Sequence, residues 1–445
     1  MTDKQREKRK TIMKRSIALG HCVCDPRKPC PCDEFKEYNV CQCAGENMPV
    51  KTDGEIKLTE FVRGAGCASK IGKKDLTEIL SGLPEFVDPR VLVGSASGDD
   101  AGVIQISEDD ENVIILTVDV FAPSVDDPFT FGQIAAANSV SDIYAMGGKP
   151  LAALSIIGFP VHDLPGKVMH DILRGGVEKM KEAGIAVVGG HSINDTDIKC
   201  GFAVIGSCKK DKYIRNSGAK VGDVLILTKP LGVGIAAFAG QIGRANSAVM
   251  NEISDSMATL NKTAGNLMLK HSANAATDVT GFSLLGHLSE IVKNSNVKVE
   301  IDFDKIPLFT DVADYAKQEI LPGAVERNKE AVSEDLLDFT NLTKAQQYIL
   351  FGPETSGGLL LFLSEENAEK YICDIRKDGN NIATIIGKTT EKYETGKIVI
   401  TTNKADEFAF ETPKKMDCCN TENSCCSEEE SSSCCDSETD NSCCC

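Results

Sequence analysis

The chain has 445 residues, 42% of them apolar and 26% charged, with a formal net charge of -18. That length accommodates two or three domains with a sizeable core, and the acidic balance excludes a sequence-independent nucleic-acid binder, which needs a basic surface. No apolar run approaches the roughly 18 residues that a bilayer span requires, and the basic stretch 1–15 has no apolar segment behind it, so the expectation is a cytoplasmic protein without membrane span or secretory signal.

Cysteine usage marks the two ends. Of 19 cysteines, six lie within 22–43 and nine from 418 onward, leaving only Cys67, Cys200, Cys208 and Cys373 in the long body. A secreted disulfide scaffold spreads its cysteines through the folded part; clusters at the ends point to metal or redox work. The head, residues 1–50, carries Cys22-Val23-Cys24, Cys30-Pro31-Cys32 and Cys41-Gln42-Cys43. A Cys-x-Cys pair closes no low-strain disulfide on itself but presents thiolates to a soft metal or an iron–sulfur cluster. The last two pairs, eight residues apart, resemble the catalytic subunit of ferredoxin–thioredoxin reductase. That resemblance implies a four-iron, four-sulfur cluster on Cys22, Cys30, Cys32 and Cys41 and a redox pair of Cys24 and Cys43. The short spacing between the first two pairs departs from it, and zinc, or a reduced Cys-rich arm holding nothing, remain alternatives.

A linker, Met48 to Glu55, leads to Gly64-Ala65-Gly66-Cys67-Ala68-Ser69-Lys70, a Gly-rich turn before a helical run, Lys74 to Leu80. A thiol close to a helix start and a lysine is expected to ionise. The body then alternates strands and helices. Strands are predicted at Val91–Val93, Val103–Ile106, Val113–Val118, Leu151–Ile157, Ile185–Val188 and Phe202–Ile205, with helices at Phe131–Met146 and Lys167–Ala183, the latter stopped by Gly184. A second unit starts near Asp211, with strands at Val224–Thr228, Val297–Ile301, Gly358–Phe362, Ala383–Ile386 and Lys397–Ile400, and helices at Ser247–Leu267 and Leu284–Val292. The rhythm is α/β or α+β, with units at 57–210 and 211–410. From Met416 the chain is Ser, Asp, Glu and Cys without Lys or Arg, a composition that buries too little to fold alone, so 416–445 is expected to be a disordered acidic tail able to wrap a soft metal.

The chemistry lies in carboxylates beside glycines or at strand ends. These are Gly98-Asp99-Asp100-Ala101, Thr117-Val118-Asp119, Asn138 with Asp142 on one helix face, and Thr277-Asp278-Val279-Thr280-Gly281. Carboxylates without His or Cys around them suit Mg²⁺, which pairs with a few carboxylates and nucleotide phosphates. Gly147-Gly148, Gly189-Gly190-His191-Ser192, Gly232-Val233-Gly234 and Ser356-Gly357-Gly358 are expected as turns aiming N–H groups at phosphate. No Walker or protein-kinase motif is present.

Together these stretches, with Ala145-Met146-Gly147-Gly148-Lys149-Pro150, Thr228-Lys229-Pro230-Leu231-Gly232 and Thr355-Ser356-Gly357-Gly358, resemble selenophosphate synthetase (selenide, water dikinase) from about Leu58 to Ile400. The resemblance implies the two-domain α/β fold of aminoimidazole ribonucleotide synthetase, a homodimer, and a reaction in which ATP, hydrogen selenide and water give selenophosphate, AMP and orthophosphate. It implies Mg²⁺ on Asp100, Asp142 and Asp278. ATP would be held by Lys70, Asp119 and Asp142 with the turns Ser97-Gly98-Asp99 and Gly190-His191-Ser192, and Cys67 with Lys70 would act in catalysis, the thiol guiding selenium. Ser283 stands where the family has glycine, and Glu354 where it has glutamine. The appended cysteines suggest a selenium-delivery protein or electron donor as further partner. The rival readings are another ATP-dependent enzyme of the superfamily, or a thiol-rich metal or metalloid binder on an inactive core.

Overall fold

The computed structural model describes residues 6–7, 9–10, 12–14, 17, 29–41, 57–62, 65–82, 87–94, 98–107 and 110–408. Cys22, Cys24, Cys43, Gly64, Ser97, the linker 48–55 and the tail from 416 lie outside them. The described residues fall in one compact unit, and none of their helices is long and apolar enough to cross a membrane.

The first sheet has six strands: β1 (Val91–Val93), β2 (Gly102–Gln105), β3 (Asn112–Phe121), β4 (Lys149–Phe159), β5 (Ala186–Asn194) and β6 (Lys199–Lys209), in the order β1-β2-β3-β6-β4-β5. All neighbours are antiparallel except β4 and β5. In β3 the period of two is plain: Val113, Ile115 and Phe121 are buried while Leu116 and Val118 face outward. The buried face carries helices α1 (Pro128–Ala145) and α2 (Gly166–Ala183). Helix α1 starts at Asp127, whose carboxylate accepts from Thr130 N at 2.7 Å, with Pro128 at the first helical position. A Cβ on Gly132 would collide with the Ile172 carbonyl and one on Gly175 with the Phe129 carbonyl, so the two helices pack backbone to backbone. Gly184, at φ 87°, closes α2 in a left-handed cap, at the position where the sequence predicts the helix to stop.

The second sheet has seven strands: β7 (Asp223–Leu227), β8 (Ala275–Asp278), β9 (Val297–Asp302), β10 (Leu337–Thr340), β11 (Leu359–Ser364), β12 (Thr384–Lys392) and β13 (Lys397–Thr401), in the order β10-β13-β9-β12-β7-β11-β8. Leu359 to Leu363 of β11 are all buried, as expected of a continuous apolar run covered on both faces. Its helices include α3 (Val233–Gln241), α4 (Ser283–Ser295), α5 (Ala324–Ala331) and α6 (Glu365–Lys377).

The expected helix Ser247–Leu267 is broken into Ser247–Ala258 and Lys262–Lys270. Thr259 is extended, and the buried Asn261 donates from Nδ2 to Ser141 Oγ at 2.9 Å and to the Gly357 carbonyl at 2.8 Å. Those distant partners outweigh local helical continuity. Strands β8 and β10 and helices α3, α5 and α6 are additions to the sequence-based expectation.

Candidate active site

The turn 65–70 folds as a short 3-10 helix, Cys67–Ser69, laid against both halves of the molecule. Gly66, at φ 56°, donates its N–H to the Ala122 carbonyl at 3.1 Å, and a Cβ there would overlap Thr355 Oγ1. Cys67 is 2% exposed; its N–H donates to Thr355 Oγ1 at 2.9 Å and its thiol lies 3.8 Å from Asn138 Oδ1. Lys70 reaches Asp119 Oδ1 at 2.7 Å, and Asn138 Nδ2 donates to the other oxygen of Asp119 at 2.7 Å. Asp119 lies on the Ile115–Phe121 face of β3, and Asn138 and Asp142 lie one turn apart on α1, so strand and helix together aim three polar side chains at the turn.

The expectation that Cys67 ionises is corrected by its burial. Burial pushes the thiol up to about 11, and the nearby Lys70 ammonium, which favours thiolate, only partly offsets this. Burial alone would lower the Lys70 ammonium, yet Cys67 and Asp119 beside it raise it overall.

Around this turn the carboxylates converge. Thr277 Oγ1 donates to Asp100 Oδ1 at 2.6 Å, and Thr117 Oγ1 donates to Asp142 Oδ2. Burial, then the charge of Asp278, raises Asp100 and Asp142 well above the usual carboxylate range. Asp278, 2% exposed at the end of β8, is raised to about 6 by burial first and then by Asp119, against the opposing pull of the Ser141 hydroxyl and the Lys70 charge. Its Oδ2 has no hydrogen-bond partner. A buried carboxylate oxygen without a donor is costly, and mutually repelling carboxylates beside it form a hard oxygen donor set of the kind Mg²⁺ takes. Among the described residues no group of three or more His, Cys, Asp or Glu is already gathered tightly enough to hold a metal ion.

The other expected site residues are placed differently. Asp99 is tied to Arg215 at 3.0 Å and to the Asn216 N–H at 2.8 Å, fixing the 98–101 loop against the segment that enters the second sheet. The Gly98 carbonyl accepts from Asn216 Nδ2. Gly190, His191 and Ser192 belong to β5, an exposed edge strand paired with Ser155, Ile156 and Ile157 of β4, and not to a turn. Two other Gly-rich stretches spend their N–H groups inside the protein. Glu354 accepts from Gly232 N at 2.8 Å and Val233 N at 3.0 Å, Gly234 N donates to the Pro353 carbonyl, and Ser356 N donates to Asn138 Oδ1 at 2.7 Å. Their work is to lock loops together. Ser283 adopts φ 71°, the left-handed conformation that glycine would take, and accepts from Gly286 N at 3.3 Å, so the loop after Asp278 keeps its path. Cys30, Cys32 and Cys41 flank a short helix, Asp33–Tyr38, with Cys41 buried.

Some residues of the site were not singled out as site residues by the sequence. The buried Lys229 ammonium donates to the carbonyls of Ser256, Thr259 and Ser356 at 2.7–2.9 Å. Arg327 Nη2 donates to the Ala68 carbonyl at 2.8 Å. Lys229 and Thr355 sit inside quoted motifs, whereas Arg327 lies in none.

Comparison with known proteins agrees with this architecture. Residues 98–208 match the family described as AIR synthase related protein, N-terminal domain, and residues 220–400 its C-terminal domain. Selenide, water dikinase 2 of Peptoclostridium acidaminophilum is 42% identical over 352 residues, 79% of this chain and 100% of the relative. Selenide, water dikinase of Pelobacter propionicus is 40% identical, over 77% of this chain and 97% of its own. About a fifth of this chain therefore lies outside the first match, which takes in that whole relative. Among solved structures, AaThiL complexed with AMPPCP and TMP shares the fold at a TM-score of 0.53 and 21% identity, covering 77% of this chain and 95% of that one. The chain belongs to the selenide, water dikinase family, on the two-domain fold of the AIR synthase type.

Proposed function

We propose that this chain is a selenophosphate synthetase whose reaction centre is the space bounded by Cys67, Lys70, Asp119, Asp100, Asp142 and Asp278. The reaction takes ATP, hydrogen selenide and water to selenophosphate, AMP and orthophosphate. The observation that carries the placement is the buried, unpartnered Oδ2 of Asp278 among repelling carboxylates, within electrostatic reach of the docked Cys67 thiol and Lys70 ammonium. Asp100, Asp142 and Asp278 would hold Mg²⁺, which when bound supplies positive charge to neutralise a polyphosphate. Lys70 stays cationic and brings a further positive charge to the transferring group. Asp119 and Asn138 fix that ammonium and the Cys67 thiol relative to one another. Cys67 keeps its proton on Sγ and excludes water, and its sulfur is the soft atom placed to guide selenium.

The outward face of the first sheet supports a homodimer. Leu116 is opposite Ile205, and Val118 and Leu154 both pair with Ala203, so these four apolar side chains form one patch at 40–57% exposure. A second copy presenting the same patch would cover it. The Cys-rich head and tail read as selenium-handling appendages. If the head delivers selenium, removing residues 1–50 should slow turnover with a limiting selenium donor and spare turnover with free selenide; equal rates in both assays end that idea.

The function is tested by incubating the full chain anaerobically with ATP, Mg²⁺ and selenide. Selenide-dependent AMP with orthophosphate is the expected result, and ADP as final product overturns it.

A further inference from the structure

The turn that carries Cys67 is held by two sets of contacts. From the first half of the chain, Ala122 accepts the Gly66 N–H and Asp119 takes the Lys70 ammonium. From the second half come two bonds that fall on the thiol's own stretch of backbone. Thr355 Oγ1 accepts the Cys67 N–H at 2.9 Å, and Arg327 Nη2 donates to the Ala68 carbonyl at 2.8 Å. Together they fix the backbone on either side of the Cys67–Ala68 peptide, and with it the direction of the Cys67 Cα–Cβ bond.

Both clamps are anchored to the loop that carries Asp278. Glu354, next to Thr355, donates its N–H to the Thr280 carbonyl at 3.0 Å. Asn328, next to Arg327, donates from Nδ2 to the carbonyls of Gly281 and Phe351 at 3.0 Å each. Gly281 itself lies against the thiol residue: a Cβ there would stand 3.2 Å from both Cys67 Cβ and the Cys67 carbonyl oxygen. Thus the elements that grip the Cys67 peptide are the ones that border Asp278.

We infer that Thr355 and Arg327 are positioning residues that hold the Cys67 thiol in register with the Asp278 carboxylate, so that the thiol is seated only when both halves of the chain grip its backbone. The catalytic consequence rests on the selenophosphate synthetase reading; the seating does not. A hydroxyl acceptor and a guanidinium are apt for this work, since one buried N–H and one carbonyl each need a single directed partner and neither brings a nucleophile to the centre.

The test uses the full chain and four variants: Thr355→Val, which keeps shape and loses the acceptor, Thr355→Ser, which restores it, Arg327→Met and Arg327→Lys. Alkylation of Cys67 by iodoacetamide, followed on its own peptide by mass spectrometry, reads the seating without any substrate. Thr355→Val and Arg327→Met should each raise that rate at least tenfold, with Thr355→Ser near wild type and Arg327→Lys between. Selenide-dependent kcat should fall at least tenfold in the same two variants while KM for ATP stays within threefold. Unchanged alkylation in both variants overturns the seating, and faster alkylation with unchanged kcat overturns the positioning role. If Thr355→Val does not fold, the half-buried Arg327→Met decides alone. A wild-type chain without selenide-dependent AMP refutes the functional reading and leaves the alkylation arm to decide the seating.

Discussion

Glu354 gives the sharpest test of the electrostatics behind the site. Its carboxylate is fully buried and accepts N–H groups from Gly232 and Val233 at the start of α3. Burial pushes it up to about 8 from an ordinary 4.5, and the two N–H bonds, which favour the charged form, offset only part of that. The sign follows from proton counts. Between the unfolded and folded values the native state holds more protons, so the stability Glu354 contributes is fully present below about pH 4.5 and is lost as pH rises toward 8. Across the window from about pH 5.5 to 7.5 the loss amounts to about 2–3 kcal/mol, at about 1.4 kcal/mol for each pKa unit.

Glu354→Gln removes this titration. Its amide leaves one of the two N–H groups facing a donor, a penalty of about 1–3 kcal/mol that does not vary with pH. Urea denaturation of wild type and variant at matched pH values, in a chelating buffer, isolates the group, because the other titrating carboxylates are common to both. The difference in unfolding free energy should swing by about 2–3 kcal/mol in favour of the variant between about pH 5.5 and 7.5. Parallel pH profiles would refute the reasoning: the two N–H bonds would then be keeping Glu354 ionised throughout, and burial would not be the dominant influence on the group.

Asp278→Asn should stabilise the metal-free protein by about 2 kcal/mol, because it removes a buried charge that faces Asp100 and Asp142. The same variant should lose the rise in Tm that Mg²⁺ with ATP gives the wild type; lower stability in chelator, or an intact Mg²⁺ response, contradicts the assignment. Gly281→Ala should cut selenide-dependent turnover about tenfold with a stability change of about 1 kcal/mol or less, since the new methyl meets Cys67 and Lys70 at 3.2 Å and only the turn need yield; wild-type turnover would show that the turn tolerates the shift. Val118→Lys, in the centre of the exposed patch, should convert a dimer to monomer by sedimentation velocity, and an unchanged dimer would place the interface elsewhere.

The legible and illegible parts of the site divide by sequence distance. Asp100, Asp119, Asp142 and Asp278 could be read because each sits beside glycine, at a strand end or one helical turn from Asn138, and these are local signatures. The strands of the first sheet were readable as apolar β-branched runs such as Val113 to Val118, whereas the alternation of β3 shows only in its burial. Strands β8 (Ala275-Ala276-Thr277-Asp278) and β10 (Leu337-Asp338-Phe339-Thr340) are half polar and hold no such run. Thr355 and Arg327 meet the turn across 288 and 259 residues of chain, and no local pattern encodes such a meeting. The Gly-rich stretches misled in a particular way: glycine reports that backbone comes close to something, and at 232–234 the neighbour is Pro353 rather than a phosphate.

The thiol of Cys67 shows why chemistry cannot be taken from neighbours in sequence alone. Lysine three residues away argues for thiolate, and it does lower the group; but Lys70 is already committed to Asp119, and the turn that delivers the lysine also buries the sulfur. The same docking therefore does two opposed things. It places the sulfur at the carboxylate cluster and it removes the water that would let that sulfur ionise. A seated Cys67 is a neutral, shielded thiol, whereas an undocked one would regain a more ordinary acidity and with it the nucleophilicity of a thiolate. Reactivity at this position is thus set by backbone contacts from Thr355 and Arg327 as much as by any charge beside the sulfur.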